Sequence, residues 1–343
     1  MKTGVSYFGN RFLKHFLRDL EDIKAHNCTY IVHCFEENDL LYYLDTMKEI
    51  VAATHEAGLE AWIDPWGVGG VFGGEAQSGF LGRHPEALQV TSDGRQVPAA
   101  CLNNPQFRQF MHEWIDGAAY IGGDVVFWDE PHLYIPWEQL LAGHFDVPWA
   151  CRCPVCQEKF AAEYGHPMPA ELTEEVQTFR QKTCLDFLRD VSSYAKEKGL
   201  RNALCVLPVE IPLLGLPPFE EAGELETVDI FGTDPYWVLF YSLAPQLVPP
   251  LEEFVGGYVR RVVEICRRTG KEDNIWVQAF SVPEGLEETA ITECIRIAVA
   301  NGATNIAAWG YAGCGHMSSR ACARPELVWE IIGREFGKLL RAK

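Results

Sequence analysis

Short apolar runs alternate with helical patterns along nearly the whole chain, and this alternation constrains the fold more than any other feature. Each run has the length of a buried strand. The stretches between them repeat apolar residues at i, i+3, i+4 and i+7, as a helix with one buried face does. Eight strands are predicted in this way, at residues 4–9, 29–35, 61–66, 124–129, 203–209, 229–236, 275–280 and 305–311.

Eight strands that each lead into a helix form a parallel sheet, and eight such units close into a (β/α)8 TIM barrel. The length of 343 residues suits one barrel with insertions, so we predict a single α/β domain over residues 1–343. An open, doubly wound sheet is the alternative, but no glycine-rich phosphate turn follows the first strand.

Three connections from strand to helix are unusually long, namely residues 67–100, 131–150 and 210–227. Each follows the carboxyl end of a strand, and barrels place their active sites on that face. Because long loops without structure of their own are usually functional, we expect these three to cover a site.

The net charge of −19 and the lack of any basic run argue against nucleic acid or an anionic membrane surface as a partner. No apolar run approaches the roughly 20 residues of a membrane span. The N-terminus enters a strand pattern without the features of a signal peptide. We therefore expect a cytoplasmic protein whose twelve cysteines are mostly reduced. The sequence is compatible with a homo-oligomer.

Polar and aromatic residues stand at the ends of the predicted strands, where a barrel directs side chains into its upper pocket. Flat aromatic faces can cover the C–H patches of a sugar ring, and carboxylates can bind its hydroxyl groups. We therefore predict a carbohydrate substrate. The residues predicted to contact it are Asp64, Trp66, His132, Tyr236, Trp237, Gln278 and Trp309.

Glu130 is the predicted catalytic acid. It directly follows the fourth predicted strand, between Asp129 and Pro131, and an apolar pocket would favour its protonated form, as a general acid requires. Glycoside hydrolysis usually needs a second carboxyl group across the scissile bond. Asp234 is the best candidate for that group, and Asp129 and Asp64 are the others.

Three cysteines, Cys151, Cys153 and Cys156, fall within six positions. A disulfide would leave one of them over, whereas a zinc ion can bind all three. The unit C-x-C-x-x-C needs only one more ligand for a tetrahedral sulfur site, so we predict a structural zinc.

Residues 101–160 resemble the zinc-bearing region of glycoside hydrolase family 42, a clan A family of barrel glycosidases. There a cysteine opens a segment like Cys101-Leu-Asn-Asn-Pro, the fourth strand ends in a pair aligned with Asp129-Glu130, and a C-x-C-x-x-C unit opens the next helix. The resemblance implies Cys101 as the fourth zinc ligand, no organic cofactor, and a zinc-knuckle loop over residues 131–170. In clan A the seventh strand ends in a nucleophilic glutamate, whereas this chain has Gln278, so either Glu284 enters the site or another mechanism is used.

The motif Asp129-Glu130-Pro131 is also similar to the acidic pair of glycoside hydrolase families 20 and 123. In those substrate-assisted N-acetylhexosaminidases the aspartate orients the 2-acetamido group of the substrate, which itself attacks the anomeric carbon. This second resemblance would explain a missing nucleophile, with Tyr236 or Tyr311 holding the acetamido oxygen.

The sequence therefore predicts an enzyme that hydrolyses O-glycosidic bonds of a small oligosaccharide or glycoside, with Glu130 as general acid. One alternative is a substrate-assisted β-N-acetylhexosaminidase that uses Asp129 and Glu130. Two others are a metal-dependent sugar isomerase or epimerase and a non-catalytic carbohydrate-binding barrel.

Overall fold

The strands of the protein form one closed parallel barrel and one small hairpin. This architecture is that of a computed structural model, which describes residues 1–141, 143–144, 146–246 and 248–341. They are β1 (Lys2–Tyr7), β2 (Tyr30–Cys34), β3 (Glu60–Asp64), β4 (Leu88–Val90), β5 (Gln96–Ala100), β6 (Val125–Asp129), β7 (Arg201–Val206), β8 (Ile230–Thr233), β9 (Glu272–Gln278) and β10 (Asn305–Trp309).

The barrel consists of eight of these strands in chain order, and β1 pairs in parallel with β10 to close it. The predicted α/β fold of (β/α)8 type is therefore confirmed. The extent of the predicted single domain, 1–343, and of the loop over 131–170 stay predictions, and both include positions outside the described residues.

Most predicted strands extend too far at the carboxyl end, because side chains that follow a strand were counted with it. Pro65 and Pro235 each follow the last residues of a strand, and a proline cannot donate a hydrogen bond to a ladder. Trp66 and Tyr236 consequently lie in the turns above the barrel. Only the end of β6 at Asp129 coincides with the prediction.

The three long loops contain structure of their own, which the sequence did not indicate. The loop over 67–100 carries the antiparallel pair β4–β5. The strand β4 has only three residues, which is too short for a recognisable alternation of apolar and polar positions.

The helices surround the barrel and pack their apolar faces against it, as Phe16, Leu20 and Ile23 of the first helix do. No helix within the described ranges is both long and apolar enough to span a membrane. The helices are α1 (Leu13–Ala25), α2 (Glu37–Tyr42), α3 (Leu44–Glu56), α4 (Gly79–Arg83), α5 (Pro105–Tyr120), α6 (Trp137–Leu141), α7 (Pro154–Tyr164), α8 (Glu174–Glu197), α9 (Phe219–Glu224), α10 (Trp237–Leu243), α11 (Leu251–Thr269), α12 (Cys294–Ala300) and α13 (Pro325–Arg341).

Large side chains fill the interior of the barrel. Tyr30 stacks on Trp62 with ring centroids 4.2 Å apart, and its hydroxyl donates to Asn305 Oδ1 at 2.8 Å. Asn274 Nδ2 in turn donates to the Tyr30 hydroxyl at 3.0 Å. Because these bulky groups occupy the barrel axis, open space is left at the carboxyl ends of the strands, where β6 and β8 deliver their last residues.

Candidate active site

A cavity of about 290 Å³ opens at the carboxyl ends of the barrel strands. Its polar lining includes four carboxyl side chains, those of Glu75, Asp129, Glu130 and Asp234. Apolar and aromatic side chains form most of the remaining wall, among them Phe72, Trp137, Leu207, Phe240, Phe280 and Trp309. A concave, largely apolar site with a few converging polar groups is typical of a small-molecule pocket.

Glu130 follows β6 and is half-buried in the wall of this cavity. Its backbone N–H donates to the carbonyl of Cys205 at 3.1 Å, so the ladder with β7 continues one residue past the strand. Its φ angle is 44°, in the left-handed region that costs a non-glycine residue roughly 1–2 kcal/mol. The fold therefore holds this side chain at the cavity in a strained backbone conformation.

Burial and neighbouring carboxyl groups determine the protonation of Glu130 and Asp234. Burial is the main cause that raises the pKa of Glu130 well above its ordinary value, and the negative charge of Asp234 adds to it. Burial also raises the pKa of Asp234, to about 7, although the protonated Glu130 carboxyl partly offsets that rise. Asp234 therefore loses its proton at a lower pH than Glu130 does.

Asp129 and Asp64 are two further carboxyl groups of this acidic region. Asp129 lines the cavity, and burial, followed by the charge of Glu130, raises its pKa. Asp64 is fully buried outside the lining; its Oδ2 accepts a hydrogen bond from the Cys34 thiol at 3.3 Å, and its Oδ1 has no partner. Burial and the charge of Asp129 raise the pKa of Asp64.

An ion pair between Glu75 and Arg320 lies in the same cavity. Arg320 Nε is 2.6 Å from Glu75 Oε1, at an angle outside hydrogen-bond geometry. Sequence reasoning missed both residues, because they lie inside the loops after β3 and β10. The only available signal was the length of the loop over 67–100, which does not reveal which of its residues turns inward.

The predicted sugar-contacting residues divide into two groups. His132, Tyr236 and Trp309 line the cavity, and burial lowers the pKa of His132 to about 4. The remaining four, which lie outside the lining, are Asp64, Trp66, Trp237 and Gln278.

Three of those four side chains form contacts with other parts of the protein. Gln278 Oε1 accepts from the backbone N–H of Leu239 at 3.0 Å, and its Nε2 donates to the carbonyl of Phe280 at 3.0 Å. Trp237 Nε1 donates to the carbonyl of Pro249 at 2.9 Å, and Trp66 stacks on Phe8 at 5.2 Å. Their contact with sugar stays an untested prediction, and the cavity offers no observation in its favour.

The end of β9 supplies no carboxyl group to the cavity. Gln278 is its last residue. Glu284, the other candidate from this region, has a side chain that is 76% exposed and lies 3.9 Å from Arg324. Asp234, which directly follows β8, lines the cavity together with Glu130, and its charge helps to raise the pKa of Glu130.

The predicted cysteine ligands come together at a separate place. The Sγ atoms of Cys101, Cys151, Cys153 and Cys156 all lie within 4.8 Å of one another and are buried. Cys101 Sγ is 3.5 Å from Cys156 Sγ and 3.4 Å from Cys153 Sγ. Tetrahedral Zn–S bonds of about 2.3 Å put sulfur atoms roughly 3.8 Å apart, so this cluster has the right size for a metal ion.

The segments around the cysteine cluster are tied to the loop after β7 by a buried arginine. Arg180 of α8 donates to the carbonyl of Ala150 at 2.6 Å and to those of Pro212 and Leu213, each at 2.8 Å. Asn103 Nδ2 donates to Cys156 Sγ at 3.4 Å. Arg180 therefore links Ala150, which directly precedes Cys151 of the cluster, to the loop after β7.

Comparison with known proteins shows the fold. No family model matches the chain, and no curated protein matches it in sequence. Similar solved structures include the PgaB (BpsB) glycoside hydrolase domain from Bordetella bronchiseptica, with a TM-score of 0.60 at 11% identity over 97% of this chain and 99% of that one.

Two further structures show the range of such neighbours. An endo-β-1,4-mannanase from Thermotoga petrophila has a TM-score of 0.55 at 10% identity, over 100% of this chain and 77% of that one. A D-allulose 3-epimerase from Methylomonas sp. has a TM-score of 0.50 at 9% identity, over 100% and 97% of the two chains. At such low identity these likenesses show a shared barrel, and function has to be argued from the site.

Proposed function

We propose that this protein is a glycoside hydrolase in which Glu130 is the general acid and Asp234 the second catalytic carboxyl. The observation that carries the proposal is that Glu130 and Asp234 line the same aromatic cavity at the strand ends. Two of the structural neighbours described above are named as a glycoside hydrolase domain and a mannanase, which agrees with this function.

The two carboxyl groups have the protonation states that glycoside cleavage needs. Asp234, with a pKa of about 7, is available as a carboxylate to attack the anomeric carbon or to activate a water molecule. Glu130 keeps its proton because burial and the Asp234 charge disfavour its ionised form. It would give that proton to the leaving oxygen as the glycosidic bond breaks.

The aromatic wall would hold the sugar ring between these groups. Trp309 and Tyr236 line the cavity beside Asp234, and Trp137, 39% exposed, lies at the more open side. Such rings bury the apolar faces of a pyranose while leaving its hydroxyl groups to the carboxylates. This arrangement suits a ring-shaped ligand better than an extended peptide.

A substrate-assisted N-acetylhexosaminidase is the second candidate, since Asp129 lines the cavity next to Glu130. In that mechanism Asp129 would orient the acetamido group of the substrate, and Asp234 would not attack. A metal-dependent epimerase has less support. Among the described residues, the four-cysteine cluster is the only group of three or more close side chains that could ligate a metal ion.

For the cysteine cluster we propose a zinc ion held by Cys101, Cys151, Cys153 and Cys156. Four thiolates leave no open coordination position, so such an ion stabilises the fold and takes no part in chemistry. All twelve cysteines are free and buried, which agrees with the reducing cytoplasm as the location.

Replacement of Glu130 by glutamine tests the catalytic proposal. The amide cannot donate a proton of comparable acidity, so kcat should fall about 10²–10⁴-fold on aryl glycosides, while the melting temperature should not fall below that of the wild type. Glu284→Gln, at an exposed position outside the cavity, is the matched control and should retain full activity. Normal turnover by the Glu130 variant would remove this residue from the mechanism.

A further inference from the structure

The cavity holds more acidic groups than its basic groups can balance. Arg320 is the only lysine or arginine among the lining residues, and it already pairs with Glu75. His132 is neutral at physiological pH, because burial lowers its pKa to about 4. When Asp234 ionises, the walls of the cavity therefore offer it no counterion.

One of these groups has an oxygen atom that lacks a partner. Asp234 is only 2% exposed, and its Oδ2 forms no hydrogen bond. The Cys205 thiol approaches its other oxygen at 3.7 Å, and the Glu130 carboxyl also interacts with this side chain. A buried carboxylate oxygen without a donor is costly, so a bound ligand that supplies a donor, and above all a positive charge, gains binding energy at this point.

We propose that the sugar bound beside Glu130 carries a free, protonated amino group on the carbon next to its anomeric centre. This inference rests on the proposed glycoside hydrolase function and specifies its substrate class. Glu130 and Asp234 must both lie near the anomeric carbon to cleave the bond. The adjacent carbon is therefore the position from which an ammonium group reaches Asp234 Oδ2 and the neighbouring Asp129.

The same charges disfavour the other common classes of sugar. A uronic acid or a sulfated sugar would bring a second negative charge into an acidic cavity, and the one guanidinium that could bind it is engaged by Glu75. An N-acetylated sugar offers only a neutral amide N–H. Hydrogen bonds with a charged partner are roughly twice as strong as those between neutral groups.

The expected preference is moderate and measurable. The gain of a charged over a neutral hydrogen bond corresponds to about a tenfold higher kcat/KM for the amino sugar than for its 2-hydroxyl analogue. Matched 4-nitrophenyl glycosides with a 2-amino, 2-hydroxyl or 2-acetamido group, and the uronides, supply the comparison. They should be assayed at pH 7 as both anomers in the gluco and galacto series.

Hydrolysis with equal or higher kcat/KM for the 2-hydroxyl, 2-acetamido or uronide member of the preferred series would overturn this inference and leave the glycoside hydrolase function intact. If no glycoside is hydrolysed, the hydrolase proposal fails separately. Calorimetry with methyl glycosides then still decides the present question: tighter binding of the 2-amino sugar supports it, and equal or weaker binding refutes it.

A variant of Glu75 tests the electrostatic cause. Glu75→Gln removes one negative charge and leaves Arg320 without its partner, so the ratio of kcat/KM for 2-amino over 2-hydroxyl glycosides should fall at least threefold. Glu284→Gln also removes one negative charge, at an exposed position, and should leave the ratio unchanged. A ratio that is insensitive to Glu75→Gln would contradict the charge argument.

Discussion

Replacement of Asp234 by asparagine should stabilise the folded protein at neutral and alkaline pH while it abolishes activity. Asp234 is almost fully buried and has an oxygen without a hydrogen-bond partner. Its ionised form therefore lowers the free energy of unfolding. Asparagine has nearly the same shape and carries no charge. Sites that are strained for catalysis commonly cost stability in this way.

The magnitude follows from the pKa of this group. Its ordinary value is 3.8, and burial raises the pKa to about 7 in the folded protein. Below pH 3.8 the group is protonated in both states and imposes no cost. Between pH 4 and 7 the unfolded chain ionises while the folded protein keeps its proton, so stability falls by about 1.4 kcal/mol per pH unit and levels off above pH 7.

The variant does not titrate at this position, so its advantage over the wild type should grow across the same range. The shift of roughly three units corresponds to about 4 kcal/mol at pH 8 as an order of magnitude. At pH 4 the two proteins should be nearly equal, or the variant slightly less stable, because the asparagine amide brings N–H donors that need partners.

Urea unfolding of both proteins at pH 4.5, 6, 7 and 8, followed by tryptophan fluorescence and circular dichroism, measures this difference. Glu21→Gln, at an exposed position on α1, controls for the loss of one negative charge from a chain of net charge −19. It should change stability by less than about 0.5 kcal/mol. A difference between wild type and Asp234→Asn that does not vary with pH would refute the reasoning.

Three further outcomes are expected. The pH profile of kcat/KM should rise through an acid limb near pH 7, set by Asp234, and fall at higher pH as Glu130 ionises; an acid limb near pH 4 would contradict these assignments. Gly73→Ala would place a methyl group 2.3 Å from the carboxyl at the end of β6, whereas Gly82→Ala meets no atom within 4 Å, so only the first should lower kcat/KM, by at least tenfold. Cys153→Ser should reduce bound zinc, measured by atomic emission, from about one ion per chain and lower the melting temperature; a metal-free wild type that is fully folded would exclude the zinc site.

Several features could be read from the sequence because each depends on local order along the chain. The alternation of strands and helices predicted the barrel, since the period of apolar residues reports which face of an element is buried. The end of β6 predicted the place of Glu130, because the residues that directly follow a barrel strand lie at the carboxyl-terminal mouth of the barrel. The spacing of Cys151, Cys153 and Cys156 predicted their clustering, and the resemblance of residues 101–160 added Cys101.

The tertiary structure alone decided which distant residues share the cavity. Asp64 ends β3, Asp234 directly follows β8, and both precede prolines, yet only Asp234 lines the cavity. Gln278 has its amide bonded to backbone groups, whereas Glu75 and Arg320, inside long loops, reach the site. Strand register and loop path fix these positions, and they depend on packing between segments up to 245 residues apart, which no local period encodes.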